Sequence, residues 1–324
     1  MTAKAPVGGA RPFRMIAGVS KIGDLADGSG ALGALMAAGG KWYYCNPTAG
    51  NGYGDSAESA TKDLLAAYNL CRDGYNDGVI FIGGATAYNP AAAFDWSKSY
   101  CHLIGLSADL PGRGQRCRVV AQNATALTQA MTISGSGNVF SNIQFNNELS
   151  TGASGSAVVT GSRNLFQNCF FMNPSSRTAA TWALKVSGQE CTFARCSIGQ
   201  FTNLRTAADY GLWLATPGNS NKFLSCEFSS WSDVKTHVHV YLGANTTEAW
   251  QVQFENCLFQ QLGAASLTQA IDDDSTAPYH QIIFRGRDNV FIKADAVADT
   301  LTYTYVFDQG TTASGLLAVI VAES

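Results

Sequence analysis

Acidic and histidine side chains are the first candidates for chemistry in this sequence. The run Asp272–Asp274 lies in AIDDDSTAP, and adjacent carboxylates could ligate Ca²⁺ from one loop. His237 and His239 alternate in THVHV, so they would share one strand face as a partial Zn²⁺ site. No third zinc ligand is evident. We therefore interpret the aspartates as a solvated turn leading to Pro278, and the two histidines as part of a polar outer face.

Three glutamates are the candidate carboxylates for glycosidase or lyase chemistry. Polysaccharide hydrolysis needs two carboxylates at a defined separation, and elimination needs a Ca²⁺-binding acidic cluster with a basic residue. Glu190, Glu227 and Glu255 occupy different phases of the repeat described below, so no acid recurs in successive copies. They are interpreted as surface charges, and the sequence predicts no catalytic, cofactor-binding or metal-binding residue and favours a non-enzyme.

Tryptophans and one basic run are the remaining candidates. Four tryptophans lie in or near the segments between repeat copies: Trp182, Trp213, Trp231 and Trp250. Exposed indoles could stack on sugar rings, but tryptophan is also enriched in cores and subunit contacts, which is the favoured interpretation. The run RGQRCR at Arg113–Arg118 is interpreted as a solvated loop that could also contact an acidic partner subunit.

Composition excludes several classes of protein. The chain has 324 residues, of which 46% are hydrophobic and 14% charged, and its net charge is -3. This net negative charge does not favour binding to nucleic acid or to an anionic membrane. The longest apolar runs are too short to span a bilayer. Met1–Ala10 lacks an apolar core, so we expect no secretory signal. The nine cysteines form no C-x-x-C pair and are expected to be reduced, buried thiols.

The elements that would position these side chains come from an internal repeat. Five segments share the pattern Phe-x-x-Cys/Ile-x-Phe/Ile: GNVFSNIQF, RNLFQNCFF, ECTFARCSI, NKFLSCEF and VQFENCLF. The first position is Phe140, Phe166, Phe193, Phe223 and Phe254, and a weaker sixth copy starts at Phe284. The middle position is Ile143, Cys169, Cys196, Cys226 and Cys257, and the last is Phe145, Phe171, Ile198, Phe228 and Phe259. Successive first positions are separated by 26, 27, 30, 31 and 30 residues.

This period predicts an all-β solenoid, a right-handed parallel β-helix. Each copy would be two short strands joined by a bend, and equivalent residues would stack at the strand spacing of about 4.8 Å. Asn142, Asn168 and Asn256 suit the left-handed conformation of such a bend, and their side chains could hydrogen-bond along the axis. Arg195 and Ser225 interrupt that column. A helical repeat is not favoured, because the copies lack the i, i+3, i+4, i+7 spacing of apolar residues. A β-sandwich is the less favoured alternative.

The two ends differ from the repeat. Residues 1–40 predict an extended Gly/Ala-rich arm, and residues 41–290 the β-helix. A capping helix is expected near 55–73, with Asp55 as N-cap, Glu58 completing a capping box and Gly74 ending it. Strands are expected at 41–47, 78–84 and 100–106. Residues 291–324 predict a non-repeat β segment that closes the end or joins subunits, with strands at 300–307 and 315–322.

The stretch Lys41–Pro90 resembles the opening of pectate-lyase-like β-helix proteins, through its strand, Gly/Asn-rich turn, SAESATKDLLAA helix and ATAYNP. The following HLIGLSADLPGRGQR resembles the first full coil of such proteins. The combination is similar to right-handed β-helix proteins of tailed bacteriophages, many of which are virion components. The resemblance spans residues 41–260, and its members include lyases, hydrolases, tail spikes and non-enzymatic structural proteins.

The resemblance implies a non-enzymatic virion structural protein, most simply a capsid decoration or head-spike protein, made in the host cytoplasm. It also implies a homotrimer that contacts other virion proteins such as the major capsid protein. The alternative is a tail spike or depolymerase that binds or cleaves a host surface polysaccharide. A secreted, cell-derived lyase is a third and weaker alternative, because no secretory signal is expected. No cofactor, nucleic acid or membrane is expected as a partner.

Overall fold

The computed structural model describes residues 40–107, 117–122, 127–148, 154–174, 181–215, 219–243, 251–273, 280–285, 289–298, 304–308 and 319–320. Three parallel sheets run the length of this part of the chain. Residues 1–39 of the expected arm lie outside the described residues, so the arm stays a prediction.

From the third strand to the twenty-third, the sheets take their strands in rotation, so each coil in this range contributes one strand to each sheet, whereas the first two strands belong to sheet 1 alone. Sheet 1 contains β1 (Trp42–Cys45), β2 (Asp77–Ile82), β3 (Cys101–Leu106), β6 (Val139–Ser141), β9 (Leu165–Gln167), β12 (Thr192–Ala194), β15 (Asn221–Leu224), β18 (Gln251–Glu255), β21 (His280–Arg285) and β24 (Thr304–Asp308). Sheet 2 contains β4 (Arg118–Ala121), β7 (Gln144–Asn147), β10 (Phe170–Met172), β13 (Ser197–Arg205), β16 (Glu227–Ser232), β19 (Leu258–Gln261), β22 (Val290–Ile292) and β25 (Val319–Ile320). Sheet 3 contains β5 (Met131–Ile133), β8 (Gly155–Val159), β11 (Trp182–Val186), β14 (Tyr210–Leu214), β17 (Val238–Leu242), β20 (Leu267–Asp273) and β23 (Ala294–Ala298). The predicted right-handed parallel β-helix is confirmed.

The phenylalanine columns form the centre of the solenoid. Phe140 stacks on Phe166 at 5.0 Å between ring centroids, and Phe166 on Phe193 at 4.7 Å. The same column continues through Phe223, Phe254 and Phe284, which confirms the sixth copy. In sheet 2, Phe228 stacks on Phe259 at 4.7 Å and Phe259 on Phe291 at 4.5 Å. These rings are fully buried, so stacking between coils supplies the core.

The middle column of the repeat is also buried, as expected. Ile143 and the four cysteines that follow it in successive coils are at most 1% exposed. The Sγ of Cys169 lies 3.5 Å from the carbonyl oxygen of Phe140, and the Sγ of Cys226 lies 3.3 Å from that of Phe193. All nine cysteines are buried, and burial raises the pKa of the Cys196 and Cys257 thiols. They act as small apolar residues.

The bend between sheets 1 and 2 adopts the left-handed conformation in every one of five copies. Asn142, Asn168 and Asn256 have φ of 58°, 52° and 52°, which confirms the prediction. Arg195 and Ser225 have φ of 53° and 52°, so the bend keeps its geometry where the asparagine is missing. The asparagine ladder is short, because Asn168 Nδ2 reaches Asn142 Oδ1 at 3.4 Å and the next two coils carry no amide.

A second polar column at the end of sheet 2 was not predicted. It lies two residues after the last position of each repeat copy, at Asn147, Asn173, Gln200, Ser230 and Gln261. These side chains are buried, and four of them donate to backbone carbonyls at or beside the corner that leads to sheet 3, while the Ser230 hydroxyl donates to Oε1 of Gln261. Asn147 Nδ2, for example, donates to the carbonyl of Gly155 at 3.1 Å. The column compensates the polar backbone groups that the corner buries.

The capping helix is shorter and later than the expected 55–73. Helix α1 spans Leu64–Leu70, and its N-cap is Asp63, whose Oδ1 accepts from Leu65 N at 2.8 Å. The expected N-cap Asp55 instead bonds the Ser59 hydroxyl within a turn. The helix ends before Cys71, not at Gly74.

Backbone pairing explains the difference. The segment before α1 bonds strand β1, through Tyr44 N to Gly54 O at 2.8 Å and Thr61 N to Tyr44 O at 2.9 Å. These bonds hold the segment in turns beside β1, so its capping-box pattern cannot start a helix. The buried face of α1, including Leu64 and Tyr68, packs into the main core near β1 and β2.

The three strands expected near the N-terminus, at 41–47, 78–84 and 100–106, are confirmed as β1, β2 and β3. Strands also form within both expected C-terminal segments. β24 pairs in parallel with β21, and β25 with β22, so each extends a sheet of the solenoid by one strand. Their proposed role in end closure or subunit contact stays a prediction.

Candidate functional site

The outer face of sheet 3 carries a cluster of aromatic rings around one lysine. In β11, β14 and β17, the core residues Leu184, Leu212 and Val240 are each followed by an outward residue, as alternation requires. Trp182 and Tyr210 begin their strands and are also partly exposed. The outward residues Trp182, Lys185, Tyr210, Trp213 and Tyr241 form what we call the aromatic patch. Pairing places Trp182 beside Tyr210, and Lys185, Trp213 and Tyr241 in one row across three strands.

The rings of the aromatic patch contact one another directly. Tyr210 stacks on Tyr241 with centroids 4.3 Å apart and an interplanar angle of 14°. Trp182 and Trp213 meet edge to face at 5.1 Å, and Trp213 meets Tyr241 at 5.5 Å. Trp182, Tyr210 and Trp213 are half-buried, so each keeps part of its ring open to solvent. Such contacts hold the rings in fixed orientations, as a stacking surface requires.

Glycines allow the indoles to lie close to the sheet. A Cβ at Gly155 would come within 2.0 Å of Trp182 Nε1, and a Cβ at Gly243 within 2.4 Å of Trp213 Nε1. Both indole N–H groups have no hydrogen-bond partner among the described residues. The tryptophans are therefore positioned by packing rather than by hydrogen bonds.

Lys185 places a positive charge among these rings. Its Nζ lies 3.8 Å from the centroid of Trp213 and 5.3 Å from that of Trp182, within the range of cation–π attraction. Burial lowers the pKa of the Lys185 ammonium. The ion pairs formed by the described residues do not include this lysine.

The sequence had singled out only part of the aromatic patch. Trp182 and Trp213 come together, whereas Trp231 lies on β16 of sheet 2 and is 39% exposed. Trp250 lies outside the described residues. Lys185, Tyr210 and Tyr241 were missed, although each lies 28 to 31 residues from another member of the patch, which matches the period of the repeat. That spacing was the available signal.

The three glutamates Glu190, Glu227 and Glu255 lie at different places on the solenoid. Glu190 is exposed at the bend from sheet 3 to sheet 1 and pairs with Arg163, Nε to Oε2, at 2.6 Å. Glu227 lies on sheet 2 and accepts from the Ser229 hydroxyl at 2.9 Å, while Glu255 lies on sheet 1. Sequence-matched outward positions on sheet 2 are Gln144, Phe170, Ser197 and Leu258, so Glu227 has no acidic neighbour in that row.

The acidic and basic runs are distributed differently from their sequence interpretation. Asp272 and Asp273 are the last residues of strand β20, not part of a turn, and Asp274 lies outside the described residues. Asp272 Oδ1 accepts from Gln269 Nε2 at 2.8 Å. Of the basic run, Arg118 begins β4 and donates to the carbonyl of Ala85 at 2.8 Å, while the residues before Cys117 are not described.

The interpretation of His237 and His239 as a polar outer face is wrong. Both are buried, at 0% and 1% exposure. Nδ1 of His237 hydrogen-bonds Asp209, which in turn accepts from Nε of Arg205. His239 lies against His237 and Phe259, and burial lowers its pKa, with a smaller contribution from the nearby charge of His237.

Arg205, Asp209 and His237 have the residue types of a catalytic relay, but they are buried away from solvent. Arg205 is fully buried and also donates to the Pro174 carbonyl at 2.7 Å and to the Thr181 hydroxyl at 2.9 Å. These bonds tie together the corner between sheets 2 and 3. A group closed off from solvent cannot reach a polysaccharide, so we assign it a structural role.

Among the residues that the structure describes, no three His, Cys, Asp or Glu side chains gather as a metal site. No helix in the described part of the chain is long and apolar enough to cross a bilayer.

No protein-family model and no curated protein sequence matches the chain. Solved structures do match its fold. The pectin methylesterase PemA from Erwinia chrysanthemi superposes with a TM-score of 0.56 at 13% identity, covering 87% of this chain and 92% of that one. A pectin methylesterase from Aspergillus niger gives 0.55 at 13% identity, covering 86% and 91%, and the pectate lyase Pel9A gives 0.54 at 14%, covering 87% and 78%. At this identity the likeness shows the fold alone, a pectate-lyase-like right-handed parallel β-helix.

Proposed function

We propose that this chain is a non-enzymatic structural protein of a bacteriophage particle, a capsid decoration or head-spike protein. One observation carries the proposal. The inward positions of the repeat stack almost without interruption, while the outward positions beside them on sheets 1 and 2 carry no pair of acids in adjacent coils among the described residues. A rod whose described outer faces on sheets 1 and 2 carry no such acid pair suits a scaffold.

The phage context of the proposal rests on the resemblance of residues 41–260 to β-helix proteins of tailed bacteriophages. On this proposal the protein is made in the host cytoplasm and assembles onto the head as a homotrimer in contact with the major capsid protein. Open sheet edges at either end of a solenoid favour association with other chains, which is compatible with such a role.

The test is to locate the protein on the particle. Purified particles would be analysed by mass spectrometry and imaged by electron microscopy with an antibody against this chain. The expected result is stoichiometric presence with label on the head. Native mass spectrometry of the isolated protein should give a trimer. Protein found free in the lysate and absent from washed particles would overturn the proposal.

A second candidate function is a tail spike or depolymerase that binds or cleaves a host surface polysaccharide. The aromatic patch favours it, because the rings of Trp182, Tyr210 and Trp213 are fixed and partly exposed, and such rings can stack on sugars. The matched structures named above are of enzymes that act on pectin and pectate, which lends support through the shared fold.

Incubation with host capsule or lipopolysaccharide separates the two candidates. Released oligosaccharide identifies a depolymerase, and binding without release identifies a polysaccharide-binding protein. If the protein neither binds the polysaccharide nor releases oligosaccharide from it, and the antibody labels the head, the result supports the decoration protein. Label on the tail with binding would replace the first proposal by the second.

A further inference from the structure

We infer that the aromatic patch binds a carboxylate-bearing sugar of an acidic polysaccharide, with Lys185 as the partner of the carboxylate. The inference rests on the second candidate function, polysaccharide binding, and adds to it the charge of the ligand and the residue that recognises it.

The first argument is the state of Lys185. Its ammonium is half-buried between two indoles, and the ion pairs formed by the described residues leave it without a carboxylate. Burial lowers its pKa, which means that the charged form is poorly solvated there. The ring faces compensate part of this loss. A ligand carboxylate at the ammonium would compensate the rest through a charge-assisted hydrogen bond.

The second argument is the arrangement of rings beside the charge. Lys185, Trp213, Tyr241 and Asp272 occupy one row across four adjacent strands of sheet 3. A saccharide chain lying along this row would place one sugar at the ammonium and the next against the partly exposed ring of Trp213, which the buried ring of Tyr241 supports edge to face. Asp272, at the far end of the row, is a hydrogen-bond acceptor for sugar hydroxyls.

Two other occupants fit the patch less well. A neutral polysaccharide would use the rings but would leave the ammonium without an anion. A protein subunit packed on the patch would desolvate the ammonium further and would need its own acid to compensate. A carboxylated sugar supplies both the apolar ring face and the anion in one unit.

The experiment compares charged and neutral probes by isothermal titration calorimetry on the full chain. The probes are oligogalacturonate, hyaluronan oligosaccharide and α2,8-linked oligosialic acid, each beside its methyl ester. The ester keeps the sugar ring and removes the charge. The variants are Lys185→Met, which keeps the aliphatic stem, and Lys185→Arg, which keeps the charge. Lys222→Met is the matched control, since Lys222 is an exposed lysine on sheet 1.

At least one carboxylated probe should bind, and its ester should bind about tenfold more weakly or worse, as expected for loss of a charged hydrogen bond. Lys185→Met should lose the same factor, Lys185→Arg should retain most of the affinity, and Lys222→Met should match the native chain. Equal binding of acid and ester, or unchanged affinity in Lys185→Met, would overturn the inference while leaving polysaccharide binding intact. No binding of any probe, charged or neutral, would overturn the inference and count against the second candidate function, while head labelling would decide the first one separately.

Discussion

The buried side chain of His102 should make the stability of the whole fold depend on pH. It is fully buried on β3, stacks on Trp42 with centroids 6.2 Å apart, and its Nδ1 accepts the backbone N–H of Val139 at 3.1 Å. Accepting at Nδ1 requires the neutral imidazole. Burial lowers its pKa from 6.5 to about 4, partly opposed by the charge of Asp77.

We predict that the free energy of unfolding falls as the pH is lowered from about 6.5 to about 4. The unfolded chain takes up a proton at His102 below pH 6.5 and the native chain does not until about pH 4, so stability is present above this window and is lost within it. The loss approaches about 3 kcal/mol for this residue. His102→Gln keeps a hydrogen-bond acceptor without titrating, so its urea unfolding curves should converge on those of the native chain as the pH falls. Curves that stay parallel from pH 7 to pH 4 would contradict this.

The buried charges at the corner of sheets 2 and 3 allow a second prediction at this scale. Asp209→Asn removes the carboxylate that neutralises Arg205, and the guanidinium cannot reach solvent. Breaking one partner of a buried pair costs about 3–5 kcal/mol. Chemical denaturation should show a loss of that size, and the matched control Glu190→Gln in the exposed Arg163–Glu190 pair should change stability little. Similar small effects of both variants would show that the corner does not depend on its ion pair.

Each coil depends on two local devices, the stacked rings in its strands and the left-handed bend between sheets 1 and 2. Phe193 is the third of the six rings in its column and stacks at 4.7 Å between centroids on both neighbours. The bend repeats at nearly the same φ in five coils with three residue types. The rings bury apolar surface, whereas the bend only turns the backbone from sheet 1 to sheet 2. Substitutions in the rings should therefore change the free energy of unfolding more than substitutions in the bend.

We predict that Phe193→Ala destabilises the protein by about 3–5 kcal/mol, because the cavity it leaves is bounded by rings on both sides and cannot collapse. Thr192→Ala, at the outward-facing neighbour on the same strand, is the matched control and should change little. Urea unfolding followed by tryptophan fluorescence measures both. An effect below about 1 kcal/mol for Phe193→Ala would mean that adjacent coils close over the gap.

Ser225 tests the bend. It has φ of 52°, a conformation that asparagine and glycine adopt more readily than serine and that β-branched residues resist. Ser225→Asn should therefore stabilise the protein by a few tenths of a kcal/mol to about 1 kcal/mol, and Ser225→Val should destabilise it by at least as much. Thermal melts of the two variants should shift in opposite directions. Shifts in the same direction would rule out backbone strain as the cause.

The sequence predicted those features of the fold that repeat with the coil. The Phe and Cys columns, the bend asparagines and the sixth copy at Phe284 recur at one period, so a single chain reveals them. The helix position was missed because pairing with β1 overrides the local capping pattern at Asp55. The burial of His239 was missed because alternation predicts that His239 and Val240 face opposite sides of β17 with only one side buried, whereas every residue of β17 is buried.

The candidate site was predictable only in part, for a related reason. Its members lie on three coils, so their proximity depends on the register between the strands of sheet 3. The sequence motif of the repeat lies in sheets 1 and 2 and does not reveal that register. Trp182 and Trp213 were recognised by residue type. Lys185 has no distinguishing residue type, and only its position beside two indoles makes it notable.

At the scale of the molecule, stability is a sum of contacts between adjacent coils. In the described part of the chain every strand pair is parallel and joins neighbouring coils, so a strand near the middle has a partner on both sides while β24 and β25 have one. Solenoids of this kind open from their ends, because removing a terminal coil breaks one interface and removing a central coil breaks two.

We predict a gradient of hydrogen exchange along the chain. Amides of β9, β12 and β15, in the middle of sheet 1, should exchange most slowly, and amides of β21 and β24 faster, because opening from the C-terminal end exposes them first. At the N-terminal end, α1 covers the first strands with Leu64 and Tyr68, so β2 and β3 should be better protected than β21 and β24. Phe193→Ala should lower protection in β9 and β15, which flank it, more than in β2. Exchange measured by mass spectrometry on peptic fragments resolves these strands. Uniform protection from β2 to β24, lowered equally everywhere by Phe193→Ala, would mean that the solenoid unfolds as one cooperative unit and that its coils are coupled far more strongly than nearest-neighbour contacts allow.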